Sequence, residues 1–404
     1  MGSFSQRRGF VEKCGILIGC VLIANNIAFV PSIGAIYYLI MMVVLLLLLH
    51  KSSKMQMSGG MVWLYFVCLM SIVFNDIPDF FHPYMRFGSF FMMTTLLSPF
   101  VLSVTFTRFR IQIFTTILML LQYVIIGSIL FRIAGLGYDR GYFQGVTNHS
   151  MILGPLAALS ALFCIYQLLA DSRERKRKLI YLSLLACSLF CVLQAASRTA
   201  FIGCIVAILV FLLIYYRHNL LKYTRMLISI GLFLALTFPL WQQYLDKLLE
   251  KNRGNSSELS IDSRKEHWSE RIREFKGSPI IGIGFAAIDS NSQEGSNFSD
   301  DGKVETGSSW LCALSMTGAC GFLGLVILFV AGMVRLWALR HFIPLLSSFL
   351  IAVLCFWILH MVAEGYIYAG GNVLFFCVWL VLGVVYGISR DKQLAYELQY
   401  KLYQ

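Results

Sequence analysis

Hydrophobic residues along this chain fall in long, nearly unbroken runs separated by short polar stretches. Twelve runs approach the length a helix needs to cross a hydrocarbon core, about 20 residues at 1.5 Å each. They cover 14–30, 33–50, 60–75, 87–106, 111–131, 146–169, 179–195, 199–216, 226–241, 308–333, 342–360 and 372–388. The first contains Asn25 and Asn26 and ends at Pro31, so it is the weakest of the set. The expected fold is all-α: one polytopic membrane domain over 1–404, with a single long polar segment at 242–307. Within that segment, Gly/Asn/Ser-rich stretches at 253–257 and 289–302 flank Ile261–Phe275. There Trp268, Ile272 and Phe275 recur at i, i+4, i+7, which predicts an amphipathic helix on the membrane surface or over a cavity. Met1–Lys13 is basic, but no small-residue cleavage site follows, so it does not read as a cleaved signal peptide. No internal repeat and no broken or charged helix centre is legible.

Charge then orients the runs. With the N-terminus inside, the inner segments hold 20 of the 33 Lys and Arg but only five of the 21 acidic residues. The inner face is therefore +15 and the outer face −3, as the positive-inside rule requires. Both termini are expected in the cytoplasm. Composition agrees: 58% of the 404 residues are hydrophobic and 13% charged, and mean hydropathy is +0.72. A soluble domain carries about 25% charged residues, so a cytosolic enzyme, a secreted domain and a disordered chain are excluded. The net charge of +12 is an orientation signal, and no nucleic-acid partner is expected. The eleven cysteines lie in or beside apolar runs and read as small hydrophobes. Cys187 and Cys191 share a helix face without a His or carboxylate beside them, so no metal site is expected.

Polar groups at the outer boundary are the informative ones, because they are costly there without a reason. Four places stand out. Ala195–Ala200 is a tight polar break in which Arg198 either snorkels to lipid phosphates or serves as an anion ligand. Arg264 and Trp268, one turn apart beside His267, suit a phosphosugar and precede Gly277-Ser278-Pro279 and Gly282-Ile283-Gly284. Glu305 through Leu311 closes the polar segment and opens a helix. Ser308 or Ser309 is its N-cap, Glu305 is the candidate proton acceptor, and Gly318 and Gly321 invite close approach of another helix. Finally, Tyr142–Ser150 enters a helix with Asn148 and His149 able to bind a sugar; a lone His there is also a common structural feature. His360 and Glu364, one turn apart, are a further pair.

The set Ser197-Arg198-Thr199, Arg264…Trp268…Pro279…Gly282-x-Gly284, and a polar-Trp-Leu helix start followed by Gly318-x-x-Gly321 resembles the O-antigen ligase and polymerase superfamily of bacterial inner membranes. The Gly145…Asn148-His149 helix entry fits as well. The resemblance implies metal-independent, cofactor-free glycosyl transfer at the periplasmic face from an undecaprenyl-diphosphate-linked saccharide. It implies catalytic roles for Arg198 and Arg264. Glu305 is added as the base, with His267 and His149 behind it. Arg140, Asn148, His149, His267, Trp268, Ser308 and Trp310 are the candidate substrate contacts. The ligase branch carries a His eleven residues before the first Gly of Gly-x-x-Gly; this chain has Gly307 there, which favours a polymerase. The implied partners are the lipid-linked donor and acceptor, the bilayer, a chain-length regulator and a flippase. The alternatives are an O-antigen ligase and, from another class, a polysaccharide transporter.

Overall fold

A computed structural model describes residues 2–31, 34–139, 141–170, 175–250, 261–289 and 307–403. The chain is a helical bundle in the order α1 (Gly2–Ala24), α2 (Ala35–Lys51), α3 (Gly59–Val73), α4 (Pro83–Leu97), α5 (Val104–Ile133), α6 (Ser150–Ala170), α7 (Arg175–Gln194), α8 (Arg198–Tyr215), α9 (Leu220–Glu250), α10 (Ile261–Gly277), α11 (Ser309–Leu339), α12 (Pro344–His360), α13 (Val373–Arg390) and α14 (Lys392–Tyr403). Among the described residues, α5, α6, α7, α8, α11 and α13 are long and apolar enough to cross a membrane. Shorter apolar helices lie within α2, α3 and α12. The chain is thus an all-α polytopic membrane protein. Its centre is α13, buried on every side from Val373 to Ile388, as a helix apolar all round should be.

Several boundaries differ from the hydropathy reading. The pattern puts the fourth junction near 107–110, but the chain turns at Ser98–Ser103. Pro99 has no N–H to continue a helix, and Ser103 Oγ caps α5 by accepting the Phe106 N–H at 3.2 Å. Arg108 and Arg110 therefore sit inside α5 rather than in a loop. Arg108 pairs with Glu397 at 3.1 Å. Arg110 is fully buried and donates to the carbonyls of Leu96 at 3.0 Å, Thr95 at 3.3 Å and Val101 at 2.8 Å. The first two are orphan carbonyls at the end of α4, so this cation is a helix cap. Arg110→Met should leave three buried carbonyls unpaired, at about 1–3 kcal/mol each. The expected result is a clear drop in the unfolding midpoint in detergent; an unchanged midpoint refutes the capping role.

The last helix, α14, has no counterpart among the twelve runs because it is too polar. It buries Leu394, Ala395, Leu398 and Leu402 on one face and pairs Lys401 with Glu12 of α1 at 3.0 Å. This end of the bundle also holds the β1 (Gln56–Met57) and β2 (Val101–Leu102) ladder. The other end gathers the segments the charge pattern places outside. There Ile27 bridges Thr147, Asn75 Nδ2 donates to the Gly282 carbonyl at 3.1 Å, and Ser309 meets Glu364. Ser188 of α7, otherwise largely exposed, hydrogen-bonds Ser160 of α6 at 2.8 Å, and Ser160 donates to Gln122 of α5 at 3.3 Å. This polar contact sets α7 and hence the α7–α8 turn.

Candidate active site

The start of α11 is docked on the end of α12 by short polar side chains. Ser308 Oγ accepts the Leu311 N–H at 3.4 Å and donates to the Met361 carbonyl at 3.3 Å. Ser309 Oγ donates to the Glu364 carbonyl at 2.7 Å and accepts the N–H groups of Tyr366 and Ile367 at 3.0 and 3.3 Å. Trp310 Nε1 donates to the Ile358 carbonyl at 3.0 Å. The sequence suggests Ser308 and Trp310 as sugar contacts; the structure gives their donors to helix docking. His360, buried among Phe356, Trp357 and Tyr366, shares a hydrogen bond with the Tyr366 hydroxyl at 3.1 Å.

Helix α10 lies against this start with its polar face inward. His267, Trp268, Arg271 and Glu274 point into the protein, while Ile272 is 41% exposed. The apolar stripe expected to face a membrane surface or a cavity is thus split: Trp268 turns inward, Phe275 is half-buried and Ile272 is exposed. An apolar stripe marks burial when a helix covers an apolar core, and here the helix covers polar chain. Trp268 Nε1 donates to the Gly307 carbonyl at 3.3 Å. Gly307 lies so close that a Cβ there would be 3.0 Å from His267 Cβ. The imidazole of α10 therefore lies where a side chain at 307 would project.

Arg271 and Glu274 are 0% and 4% exposed and pair at 3.1 Å. Glu274 Oε1 also accepts the Asp289 N–H at 2.8 Å, and Oε2 accepts the Ser315 hydroxyl of α11. One carboxylate thus joins α10, the end of the 278–289 segment and α11. Burial pushes its carboxyl above the ordinary range, with Arg271, the Asp289 N–H and Ser315 pulling the other way.

The 278–289 segment fills a break in α11. Gly318, at φ 62° and ψ −168°, interrupts the helix. The interruption releases backbone groups that must find partners. The carbonyls of Ser315 and Met316 accept the N–H groups of Ile283 and Gly284 at 3.0 and 3.3 Å. The N–H groups of Ala319 and Cys320 donate to Pro279 and Ile280 at 2.8 and 3.2 Å. The glycines of the motif make this ladder possible. A Cβ on Gly282 would stand 2.4 Å from the Met316 carbonyl carbon, and one on Gly318 would stand 2.3 Å from that of Ile280. The expectation that Gly318 and Gly321 receive another helix is corrected: Gly318 receives a loop, and Gly321 closes on Thr317 of its own helix. Beside this insert, a cleft of about 440 Å³ is lined in part by Asn75, Asp76, Asp79, His82 and Tyr84. Carboxylates, an amide and an aromatic ring are groups that meet sugar hydroxyls and ring faces.

Arg198 opens α8 directly after the Ser197 cap, which accepts the Ala200 N–H at 3.4 Å. Ala196 turns the chain at φ 51°. The turn packs on Gly154 of α6, where a Cβ would meet Ala200 and Ser197 at 3.2 Å. One turn earlier on α6, His149 Nδ1 caps the helix by accepting the Met151 N–H at 3.1 Å. Asn148 Nδ2 reaches the Asn25 carbonyl at 3.3 Å. Helix α8 then packs on α12 through Gly203 and Phe356, and α12 leads into the residues that dock Ser308 and Ser309. All four regions singled out by sequence therefore gather at one end of the bundle. Arg140 and Glu305 lie outside the described residues, and Arg264 is placed by its position on α10 alone, two turns before Arg271 on the same face. Sequence reasoning missed Arg271, Glu274 and Ser315; the recurrence of polar residues at 264, 267, 271 and 274 was the available signal.

Residues 182–326 match the family model described as O-antigen ligase. The match supports the O-antigen ligase and polymerase superfamily. It runs from α7 through Arg198, α10 and the 278–289 insert to just past the break in α11, so it holds Arg198, Arg264, Arg271, Glu274 and the glycines of the ladder. No match was found among curated proteins.

Proposed function

We propose that the protein is a polysaccharide polymerase of the bacterial inner membrane. On this reading it transfers a glycan from undecaprenyl diphosphate to the next lipid-linked repeat unit at the periplasmic face. The observation that carries the proposal is the gathering of α10, the start of α11 and the Arg198 turn at one end of the bundle, within the matched segment. All twelve apolar runs lie in the bilayer, both termini are cytoplasmic, and 242–307 is a periplasmic segment of one integral membrane domain. The donor and acceptor are both lipid-linked, and a chain-length regulator and a flippase work beside the enzyme.

In the mechanism, Arg198 and Arg264 bind the diphosphate and offset the charge that grows on it as the glycosidic bond breaks. Stabilising a developing anion is usually the largest catalytic contribution. A diphosphate leaves without a proton at neutral pH, so the reaction needs no general acid. The attacking hydroxyl must lose its proton. Glu305 is the first acceptor, with His267 and then His149 behind it. The reaction runs on these side chains without a metal. Arg140, Asn148, His149 and Trp268 are placed around the saccharide, with Ser308 and Trp310 holding the start of α11 beneath it.

Gly307, where the ligase branch carries a His, favours polymerase over ligase. The description of the matched family favours the second reading, transfer of the finished chain to lipid A–core. Lipopolysaccharide from a deletion strain separates them. The expected result is core capped with a single repeat. Stranded lipid-linked polymer identifies a ligase instead, and loss of the periplasmic repeat unit identifies a transporter.

A further inference from the structure

We propose that Arg271 and Glu274 are positioning residues for glycan transfer: they fix the rotation of α10 about its own axis and so aim His267 and Trp268 at the start of α11. The inference rests on the transfer reading above and adds two residues that act only through others.

Helix geometry is the first argument. A helix turns 100° per residue and rises 1.5 Å. Trp268 fastens α10 to the Gly307 carbonyl, and Glu274 fastens it to Ser315 and the Asp289 N–H. These anchors are about 9 Å apart along the axis, enough to hold both tilt and rotation. A slip of one residue would carry Glu274 off Ser315 and bring Ile272 or Arg273, both exposed, toward α11.

Energetics is the second argument. Burying an ion pair carries a desolvation cost that its attraction roughly repays, and a well-packed apolar pair often serves stability as well. Stability alone therefore does not call for Arg271–Glu274. The pair differs from an apolar one in being directional. Glu274 holds donors from three separate segments at defined angles, and Ser315 lies three residues before the break at Gly318. The carboxylate thus ties the reacting face of α10 to the same stretch of α11 that carries the inserted ladder. Apolar packing would keep the helix in place while letting it rotate.

The test is the double variant R271M/E274M, assayed on the undecaprenyl-diphosphate-linked repeat unit extracted from the deletion strain. The expected result is an unfolding midpoint near that of the wild type and a kcat lower by about 10²-fold, the cost of a misplacement near 1 Å. KM should stay within about threefold, because neither residue touches the saccharide. Wild-type kcat in the folded double variant overturns the proposal. If that variant does not fold, Ser315→Ala removes one bond to Glu274 and should lower kcat by about three- to tenfold at unchanged KM. Wild-type kcat in Ser315→Ala then overturns it. The wild type is the reference. Absence of transfer by the wild type overturns the transfer reading itself, whereas a wild type that transfers beside an equally active R271M/E274M overturns only the positioning role.

Discussion

Arg198→Ala is expected to abolish the polymer ladder while leaving the protein in the membrane at the wild-type level. Arg198 is the first residue of α8 and follows a Ser197 cap that does not depend on it. The turn packs through Ala195, Ser197 and Ala200 against Gly154. Removing the guanidinium should therefore spare the fold and remove a donor to the developing diphosphate charge, at about 10²–10³-fold in rate. Arg198→Lys restores charge without the fork that grips two phosphate oxygens, so it should recover only part of that loss. Immunoblotting of membranes and gel analysis of surface polysaccharide check both variants. A wild-type ladder from Arg198→Ala removes this residue from the chemistry.

The second large effect is on the fold of the site. Gly318→Val and Gly282→Val should each expel the 278–289 insert from the break in α11. Both positions have positive φ, 62° and 76°, where a Cβ costs about 1–2 kcal/mol. Each Cβ would also collide with backbone rather than with a movable side chain, adding roughly 1–3 kcal/mol of overpacking. The carbonyls of Ser315 and Met316 would lose their partners in the same step. Both variants should be inactive, with faster proteolysis around 278–289. Gly277→Ala is the control, since its Cβ would meet nothing within 4 Å, and it should behave as wild type. If Gly318→Val keeps full activity, the ladder does not build the site.

Much of this site was written in local patterns. The break at Ala195–Ala200, the helix at 261–275 and the helix start at Ser308 each lie where polar residues interrupt an apolar run, because a chain in a membrane can change direction only where its backbone finds partners. The facing of α10 was not legible. Its one apolar stripe, Trp268–Ile272–Phe275, suggests a buried side, yet the helix turns Arg271 and Glu274 inward. In a charge-rich stretch such as Ser269–Lys276, buried and solvated charges look alike until the partner is known. Ser308 and Trp310 show the converse: they read as ligands and turn out to dock α11 on α12. Gly318 read as a helix contact because small residues serve that purpose in many spans; its positive φ instead accompanies the loop that directly follows α10.

The sequence by itself determined the helical class and the places where polar residues interrupt the apolar runs, since these follow from transfer free energy summed over short windows. Tertiary structure alone decided that α11 breaks at Gly318, that residues 279–284 complete it, and that Glu274 locks α10 in register with Ser315. Each of those contacts joins segments some 30 to 40 residues apart, and each depends on which backbone groups the break leaves unpaired. No local window contains that information, because the partner of an orphaned carbonyl is set by the packing of the whole bundle.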